Sequence, residues 1–359
     1  MPATAPLDPD RLKAFSLRLF GYMNGATVSM MVCLGDRLGL YAALAEAGEV
    51  TSRELAEKTG LAERWVREWL YGQGASGLLE TVDGERFRLS PEGIAVLVDE
   101  NHPANGIGML SQIPDLARTL ERLPEAFRTG VGLAYDEHGA DGARGIERGL
   151  APWFRSMLVP FALPKIEGLC DRLRAGAQVA DVGCGGGVAL LEMAKAFPAS
   201  QFHGYDISRH ALARAEANRV AAGVSNAFFH DAHTDALPRD HRFDFVTTFD
   251  CLHDMTDPER VIHEIRAALA EDGIWLVADI KARPSYAENV EKNPMAAMMY
   301  GVSVMVCMSS SLSAKGGAGL GTLGLHVELL ERWAREAGFR HFTPVDLGHA
   351  VNAFYLVRP

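Results

Sequence analysis

The sequence predicts an α/β protein in which a mostly parallel sheet follows an N-terminal α-helical winged-helix segment. From residue 178 onward, short apolar stretches alternate with helical ones, which is typical of a parallel sheet covered on both faces. Between residues 36 and 98, two helical stretches precede a hairpin around Asp83-Gly84, and this order indicates a winged helix.

Composition excludes several classes of protein. The chain has 359 residues, with 48% hydrophobic and 23% charged side chains, as expected for a globular protein with about two domains. Its net charge of −11 disfavours nucleic acid as a partner. Five cysteines without a CxxC pair favour a reducing cytoplasm and no metal site. The N-terminus has no signal-peptide pattern, and no apolar run reaches the ~18–20 residues of a membrane span.

We expect three segments: a helical and winged-helix domain over residues 1–100, a helical linker and pocket cover over 101–170, and a catalytic domain over 171–359. In residues 8–34, apolar side chains such as Leu12, Phe15 and Leu19 recur at roughly helical spacing. This pattern favours a packing helix within a domain or a homodimer. The alternative is a lid, in which Tyr22 and Asn24 reach over a substrate.

The winged-helix segment is more suited to dimerisation or to enclosing a substrate than to binding DNA. Thr51 to Glu54 has the residues of a helix start, and a second helix is predicted over 62–74. Residues 51–90 contain six basic and seven acidic side chains, whereas a DNA-reading module needs a basic face. The second helix carries Trp65 and Trp69, which suit packing better than contacts with base edges.

Residues 99–150 have less pattern. A polar loop contains four side chains that could bind a metal, although such clusters more often face solvent: Asp136, Glu137, His138 and Asp141. Residues 151–173 predict one or two helices, which Pro160 and Pro164 kink or break.

The predicted sheet has seven strands. They cover residues 178–182, 201–205, 226–229, 243–248, 273–278, 340–345 and 352–357. The predicted helices between them cover residues 188–197, 211–222, 258–270 and 327–337. Because no helix separates the last two strands, we expect that pair to be antiparallel.

The first of these strands ends in a glycine turn, with Gly183, Gly185 and Gly187 before the next helix. Glycine lets backbone approach a ligand closely. The second strand ends at Asp206, at the distance from the turn where a carboxylate binds ribose hydroxyls. Asp181 precedes the first glycine, and its charge would repel a pyrophosphate but attract a cation. The pattern therefore favours a cationic nucleoside cofactor over NAD, with an NAD-dependent reductase as a rival.

The run from Val179 to Gly187 resembles motif I of the class I S-adenosylmethionine (SAM) methyltransferases. The resemblance implies a seven-stranded, Rossmann-like sheet with a terminal antiparallel hairpin, and SAM as the cofactor. It also implies that SAM is bound by residues at the ends of the first four strands. These are Asp181, Gly183, Cys184, Gly185, Gly187, Asp206, Ile207, Asp231, Ala232 and Asp250.

Residues 249–254 are similar to the Leu-His-Asp segment of small-molecule O-methyltransferases. That similarity implies that His253 takes the proton from an acceptor hydroxyl, a role suited to an imidazole with an ordinary pKa near 6.5. Asp254 could orient the ring or help to start the next helix, although Asp257 as N-cap and Pro258 as first helical residue are better placed for the start.

Residues 34–41, 67–70, 127–130, 179–185 and 250–255 resemble a bacterial and mycobacterial family of winged-helix SAM methyltransferases. This resemblance implies methyl transfer to a hydroxyl or thiol of a small molecule, and a homodimer. The alternative function is a SAM-sensing transcriptional regulator. Residues 278–281 depart from the Val-Glu-Pro-like segment expected there.

Residues 294–326 are expected to wall the acceptor pocket, with a glycine-rich stretch at 316–324 as a mobile cover. The pocket candidates outside the N-terminal helix are Tyr300, His326 and His349. Asp250 and Asp279 could contribute to a catechol-type metal site, but no Asp-Asn pair follows the fifth strand, so we expect no metal.

Overall fold

The structure, a computed structural model, describes residues 6–81 and 83–359. The chain divides into two compact units, Met1–Pro114 and Asp115–Pro359. The expectation that no signal peptide is present rests partly on residues 1–5, which lie outside the described residues.

The first unit is a helical domain with a small antiparallel sheet. Its helices are α1 (Pro9–Arg37), α2 (Leu40–Ala47), α3 (Ser52–Thr59), α4 (Glu63–Ala75), α5 (Pro91–Leu97) and α6 (Ile107–Leu110). Its strands are β1 (Val50–Thr51), β2 (Glu80–Thr81) and β3 (Arg86–Arg88), in the order β1-β3-β2. The predicted winged helix is therefore confirmed, since α3 and α4 precede the β2–β3 hairpin.

The predicted helix start at Thr51 is a complete capping box, in which the Thr51 hydroxyl accepts from the Glu54 amide and the Glu54 carboxylate accepts from the Thr51 amide. The core of this unit is built on fully buried leucines, among them Leu44, Leu55 and Leu70. Trp69 packs into this core, and its indole N–H donates to the Met31 carbonyl at 3.0 Å.

Helix α4 neutralises its own charges. Arg64 pairs with Glu68, and Arg67 pairs with Glu63, each across one helical turn. Such pairs leave little net positive charge on the helix that would enter a DNA groove.

The second unit contains the large sheet. Its α-helices are α7 (Ile113–Thr119, which spans the division between the units), α8 (Leu123–Thr129), α9 (Gly139–Trp153), α10 (Leu169–Ala175), α11 (Val188–Ala196), α12 (Arg209–Ala222), α13 (Pro258–Ala268), α14 (Tyr286–Lys292), α15 (Ala296–Met305), α16 (Cys307–Ser311) and α17 (Val327–Glu336). Short 3₁₀ turns cover Tyr135–His138, Leu163–Lys165 and Leu252–Asp254, and a π-helix covers Phe154–Ala162. The strands are β4 (Gln178–Val182), β5 (Gln201–Asp206), β6 (Ala227–Asp231), β7 (Phe243–Phe249), β8 (Leu269–Ile280), β9 (His341–Val345) and β10 (Asn352–Arg358).

The seven strands run in the order β6-β5-β4-β7-β8-β10-β9. The first five in this order pair in parallel, and β10 pairs antiparallel with both β8 and β9. The predicted sheet and its terminal antiparallel pair are confirmed. Strand β8 begins at Leu269, four residues before the predicted start, because Leu269 leaves helical geometry and pairs with Phe243.

Alternating residues of the strands form two cores, one on each face of the sheet. Val179, Phe245 and Leu276 belong to one cluster, and their neighbours Ala180 and Val246 belong to the other. Because side chains alternate across a strand, burial of both sets leaves ligand access only at the strand ends.

No single helix within residues 6–81 and 83–359 is long and apolar enough to cross a membrane. Helices α1 and α2, which are bent by 71° relative to each other, are together long and apolar enough for a span, by length and composition alone.

The glycine turn after β4 needs its glycines for two reasons. Gly183, Gly185 and Gly187 all have positive φ, at 75°, 54° and 73°. A Cβ on Gly187 would lie 2.6 Å from the Phe229 ring, whereas a Cβ on Gly185 would meet nothing within 4 Å. Gly187 is therefore constrained by packing as well as by conformation.

Gly187→Ala should lower the free energy of unfolding more than Gly185→Ala does. Each substitution forces a side chain into left-handed backbone, at a cost of about 1–2 kcal/mol. Only Gly187→Ala adds overpacking against Phe229, at a further cost of about 1–3 kcal/mol. Urea unfolding of the two variants measures this difference, and equal losses in both would contradict the packing role of Gly187.

Candidate functional site

The β4–α11 turn is tied to the end of β5. The amides of Gly183 and Cys184 both donate to the Tyr205 carbonyl, at 2.8 and 3.1 Å. The Gly185 amide donates to Asp206 Oδ2 at 2.8 Å. These bonds hold the turn against the strand that carries the ribose-binding candidate.

Asp206 joins the glycine turn to helix α12. Its Oδ1 accepts from the Ser208 amide at 2.8 Å, while its Oδ2 accepts from Gly185. Burial raises the pKa of Asp206, although these backbone hydrogen bonds oppose that shift. Each carboxylate oxygen keeps a second lone pair, so Asp206 can accept from ligand hydroxyls while it holds the turn.

Asp181 lies almost fully buried at the end of β4. The Thr247 hydroxyl donates to its Oδ1 at 2.7 Å. Burial raises the pKa of Asp181 to about 7, the Thr247 hydrogen bond opposes this, and nearby Asp206 adds to it. A bound cation would stabilise the ionised form.

Asp250, just after β7, has a buried carboxylate oxygen without a partner. The Asn352 amide donates to Oδ2 at 2.6 Å, but Oδ1 has no hydrogen-bond partner among the described residues. The backbone of Asp250 has a φ of 52°, which is unusual for a side chain other than glycine. Burial and the nearby Asp279 raise the pKa of Asp250 to about 7.

His253 forms a buried ion pair with Asp279. Its Nδ1 lies 2.6 Å from Asp279 Oδ1, and His253 is only 4% exposed. Burial alone would lower the pKa of His253, but the Asp279 carboxylate, together with the Cys307 side chain, raises it well above its usual value. The ring is therefore oriented by Asp279. The suggestion that Asp254 orients the His253 ring is corrected accordingly.

Asp254 instead lines the cavity described below. Burial raises its pKa to about 7, although the charge of His253 opposes the shift. The predicted start of the next helix is confirmed, because Asp257 caps α13 by accepting from the Arg260 amide at 3.1 Å and Pro258 is the first helical residue.

A cavity of about 300 Å³ opens at the carboxyl ends of the strands. Most of the predicted cofactor residues line it. These are Asp181, Gly183, Cys184, Gly185, Asp206, Ile207, Ala232 and Asp250, and Asp254 lines it as well. The other candidates lie beside it: Gly187 caps α11, and Asp231 pairs in register with Asp206 and accepts from the His233 amide.

The predicted acceptor residues do not line this cavity. Tyr300 accepts from Asn289 at 3.3 Å, and His326 pairs with Glu328 at 2.8 Å. His349 packs edge-on against Trp153, and burial lowers its pKa to about 4. Tyr22 and Asn24 are exposed on α1, in the first compact unit.

The four polar residues considered as metal ligands have separate partners. Asp136 bonds Ser208 and Arg209, and Glu137 pairs with Arg122. His138 pairs with Asp115, and Asp141 with Arg118. Within residues 6–81 and 83–359, no group of three or more acids, histidines or cysteines is arranged to hold a metal ion.

The sequence analysis missed Tyr135 and Glu147, which line the cavity from a turn and a helix that precede the sheet. It considered Asp279 only as a metal ligand and not as the partner of His253. Glu147 is paired with Arg214, and a Cβ on Gly186 would collide with it. Of these three residues, only Asp279 could have been assigned to the site from the sequence. It lies at the end of β8, and an acid there faces the residues that follow β7 because the two strands are neighbours.

The predicted mobile cover at 316–324 is tied to the site. The Ala318 amide donates to the Thr256 carbonyl at 2.9 Å, and the Gly319 amide donates to the Ser311 hydroxyl at 2.9 Å. The Ser311 hydroxyl donates in turn to the Met255 carbonyl at 2.8 Å. This network holds the segment that follows His253 and Asp254.

Two family models match the chain, one in each compact unit. Residues 173–338 match a methyltransferase domain, and residues 26–98 match an Rv2258c-like winged HTH domain. The ubiquinone biosynthesis O-methyltransferase of Albidiferax ferrireducens is 34% identical over 119 residues, which cover 33% of this chain and 45% of that protein. The chain spans about half the length of the curated relatives it matches.

Solved structures share the fold over nearly the whole chain. A putative O-methyltransferase from Nostoc punctiforme matches with a TM-score of 0.73 at 18% identity, covering 99% of this chain and 100% of that one. Human N-acetylserotonin methyltransferase, solved with SAM, matches with a TM-score of 0.67 at 21% identity, covering 99% of each chain. The chain thus joins a segment that matches an Rv2258c-like winged HTH domain to a segment that matches a methyltransferase domain.

Proposed function

We propose that this protein transfers a methyl group from SAM to a hydroxyl or thiol of a small molecule. The observation that carries the proposal is the unpartnered Oδ1 of Asp250, which belongs to a residue lining the cavity. A buried carboxylate oxygen without a partner is costly, and a cationic ligand removes that cost. The resemblance and the domain match both favour SAM over NAD.

The residues present suit SAM. The side chains of Asp181, Asp250 and Asp254 surround the cavity with negative charge, and SAM brings a sulfonium and an ammonium group. We infer that Asp206, which lines the cavity, accepts from ribose hydroxyls. Gly185 leaves open space where a Cβ would project, so backbone can approach the ligand closely. SAM, when bound, supplies the electrophilic methyl group.

The chain contributes positioning and a base. Holding SAM and the acceptor side by side would convert the reaction to an effectively unimolecular one. His253 is held by Asp279 and adjoins Asp254, which lines the cavity, although His253 is not itself among the lining residues; it is the candidate base for a hydroxyl acceptor. Because Asp279 raises the pKa of His253, the ring must lose a proton before it can accept one. A thiol acceptor would need this base less, since thiols ionise more readily.

The direct test is incubation of the full chain with methyl-labelled SAM and metabolite extracts, followed by mass spectrometry of labelled products.

We expect His253→Ala to lower turnover by about 100-fold or more, the usual contribution of a general base, with SAM affinity nearly unchanged. Asp206→Ala should weaken SAM binding. Binding of NAD but not SAM in titration calorimetry would reject the proposed function, and unchanged turnover in His253→Ala would remove only the base assignment.

SAM affinity should fall as pH drops from 7.5 to 6.0. Asp181, Asp250 and Asp254 have pKa values raised to about 7, so they take up protons in this range and lose the charge that attracts a cation. One such group changes affinity by up to about tenfold per pH unit. Calorimetry with SAM measures the effect. The demethylated product S-adenosylhomocysteine (SAH), which lacks the sulfonium charge but keeps the ammonium group, is the matched control and should show a smaller pH dependence. Equal SAM affinity at both pH values would contradict the role of these carboxylates.

A homodimer and a cytoplasmic location are parts of the same proposal. Residues 6–27 of the chain are exposed throughout, although α1 carries Phe15, Leu19 and Met23 on one side. An apolar surface of this length is unusual in a monomer, and a second copy of the same helix is a self-complementary cover for it. The cysteine pattern suits a reducing compartment.

Phe15→Glu combined with Leu19→Glu should therefore convert a dimer to a monomer. Each charge would be buried at the interface and would disrupt it. Sedimentation velocity measures the mass, which should fall to that of one 38.9 kDa chain. Ser16→Glu, on the same helix, is the matched control and should stay dimeric. A wild-type monomer would contradict the proposed dimer.

A further inference from the structure

The segment of residues 130–139, here called the strap, contributes one residue to the cavity lining and is bounded by two glycines. Gly130 ends α8 with a φ of 74°, and Gly139 begins α9 with a φ of 67°. Tyr135, within the strap, lines the cavity. Positive φ at both ends marks points where only glycine turns easily, so the strap is a unit between two conformational pivots.

The first half of the strap is fixed to helix α16 and the residue after it. The Gly132 amide donates to the Leu312 carbonyl at 3.0 Å, and the Leu133 amide donates to the Ser309 hydroxyl at 2.8 Å. A Cβ on Gly132 would lie 2.0 Å from the Ser309 carbonyl oxygen. This end therefore packs backbone against backbone and has no room to slide.

Three side chains hold the second half: Glu137 pairs with Arg122, His138 pairs with Asp115, and Asp136 alone of the three bonds to helix α12. Its Oδ1 accepts from the Ser208 hydroxyl at 2.8 Å, and its Oδ2 pairs with Arg209 Nε at 2.9 Å. Burial opposes ionisation, but these partners and the His210 amide lower the pKa of Asp136, which keeps it charged at neutral pH. Ser208 is also the residue whose amide donates to Asp206. Asp136 thus links the strap to the ribose-binding end of the cavity.

Tyr135 is adjacent to Asp136 and faces the acids of the cavity. Burial, followed by the charges of Asp254 and Asp206, raises the pKa of its hydroxyl well above the usual value, so the ring stays neutral. A neutral aromatic side chain at this place excludes water without adding charge. Asp136 is the residue next to Tyr135 that bonds to α12, so its contacts are the direct link between this ring and that helix.

We propose that Asp136 is a positioning residue that holds Tyr135 over the cavity and thereby sets how long a bound nucleoside stays. This inference rests on the proposed function, because the nucleoside in question is SAM or its product. Asp136 holds Tyr135 towards α12 through Ser208 and Arg209, while the contacts of Gly132 and Leu133 on one side and those of Glu137 and His138 on the other fix the rest of the strap.

The test measures association and dissociation of SAH with the full-length protein by stopped-flow or surface plasmon resonance. Asp136→Ala should raise the dissociation rate about tenfold, within the range expected for loss of a charge-assisted hydrogen bond. The association rate should rise as well, because an open strap also admits the ligand faster. The equilibrium constant should therefore change less than either rate, which a merely structural loss would not produce.

Three variants make the test specific. Asp136→Asn keeps an acceptor for Ser208 and should recover part of the wild-type rate. Arg209→Ala removes the partner from the exposed side and should have a smaller effect in the same direction. Glu125→Ala removes an exposed acid of α8 whose partner, Arg128, lies on the same helix, and it should match the wild type.

A double substitution tests whether Asp136 acts through Tyr135. If it does, Asp136→Ala should add little to the dissociation rate of Tyr135→Ala. The inference would be overturned if a folded Asp136→Ala protein still binds SAH with the association and dissociation rates of the wild type. Additive effects of the two substitutions on the dissociation rate would also overturn it. Absence of SAM and SAH binding to the wild type would instead reject the proposed function, and the strap inference with it. If Asp136→Ala does not fold, Arg209→Ala decides the question alone.

Discussion

The burial of negative charge at one edge of the parallel sheet is the constraint on which the rest of the structure depends. Asp181, Asp206, Asp250 and Asp254 all lie at the ends of strands or directly after them, and all line one cavity. Removing a carboxylate from water is costly unless hydrogen bonds or an opposite charge compensate. Three of these acids have pKa values of about 7 without a ligand, which indicates that compensation by the protein is incomplete.

The fold supplies part of the compensation through backbone amides. Asp206 receives one amide from the glycine turn and another from the start of α12, so a single side chain connects two loops at the cavity. Ser208 carries this connection on to Asp136. Hydrogen bonds therefore connect the glycine turn, the end of β5 and the segment that contains Asp136.

The other end of the cavity is organised by a different pair. Asp279 orients His253, and the strand register that places Ala278 opposite Phe249 brings the two together. Asp254, next in sequence to His253, faces the cavity instead. Neighbouring residues thus have different surroundings, because a 3₁₀ turn directs successive side chains to different sides. In the winged-helix unit, the ion pairs within α4 leave the DNA-binding alternative without a basic surface on that helix.

The sequence alone determined the sheet, the winged helix, the glycine turn and most of the cavity's acids. These features depend on local signals: strand and helix periodicity, the glycines at positions 183, 185 and 187, and acids at fixed distances after strands. Helix starts such as the capping box at Thr51 and the Asp257-Pro258 cap were predictable for the same reason.

Only the tertiary structure decided which distant residues complete the site. Asp279 reaches His253 because β8 lies beside β7, and Tyr135 and Glu147 line the cavity from segments that precede the sheet. Tyr300, His326 and His349 were predicted from residue type, but packing directs them to Asn289, Glu328 and Trp153. Spacing along the chain reports local geometry, whereas contacts between segments depend on strand order and packing that no short motif encodes.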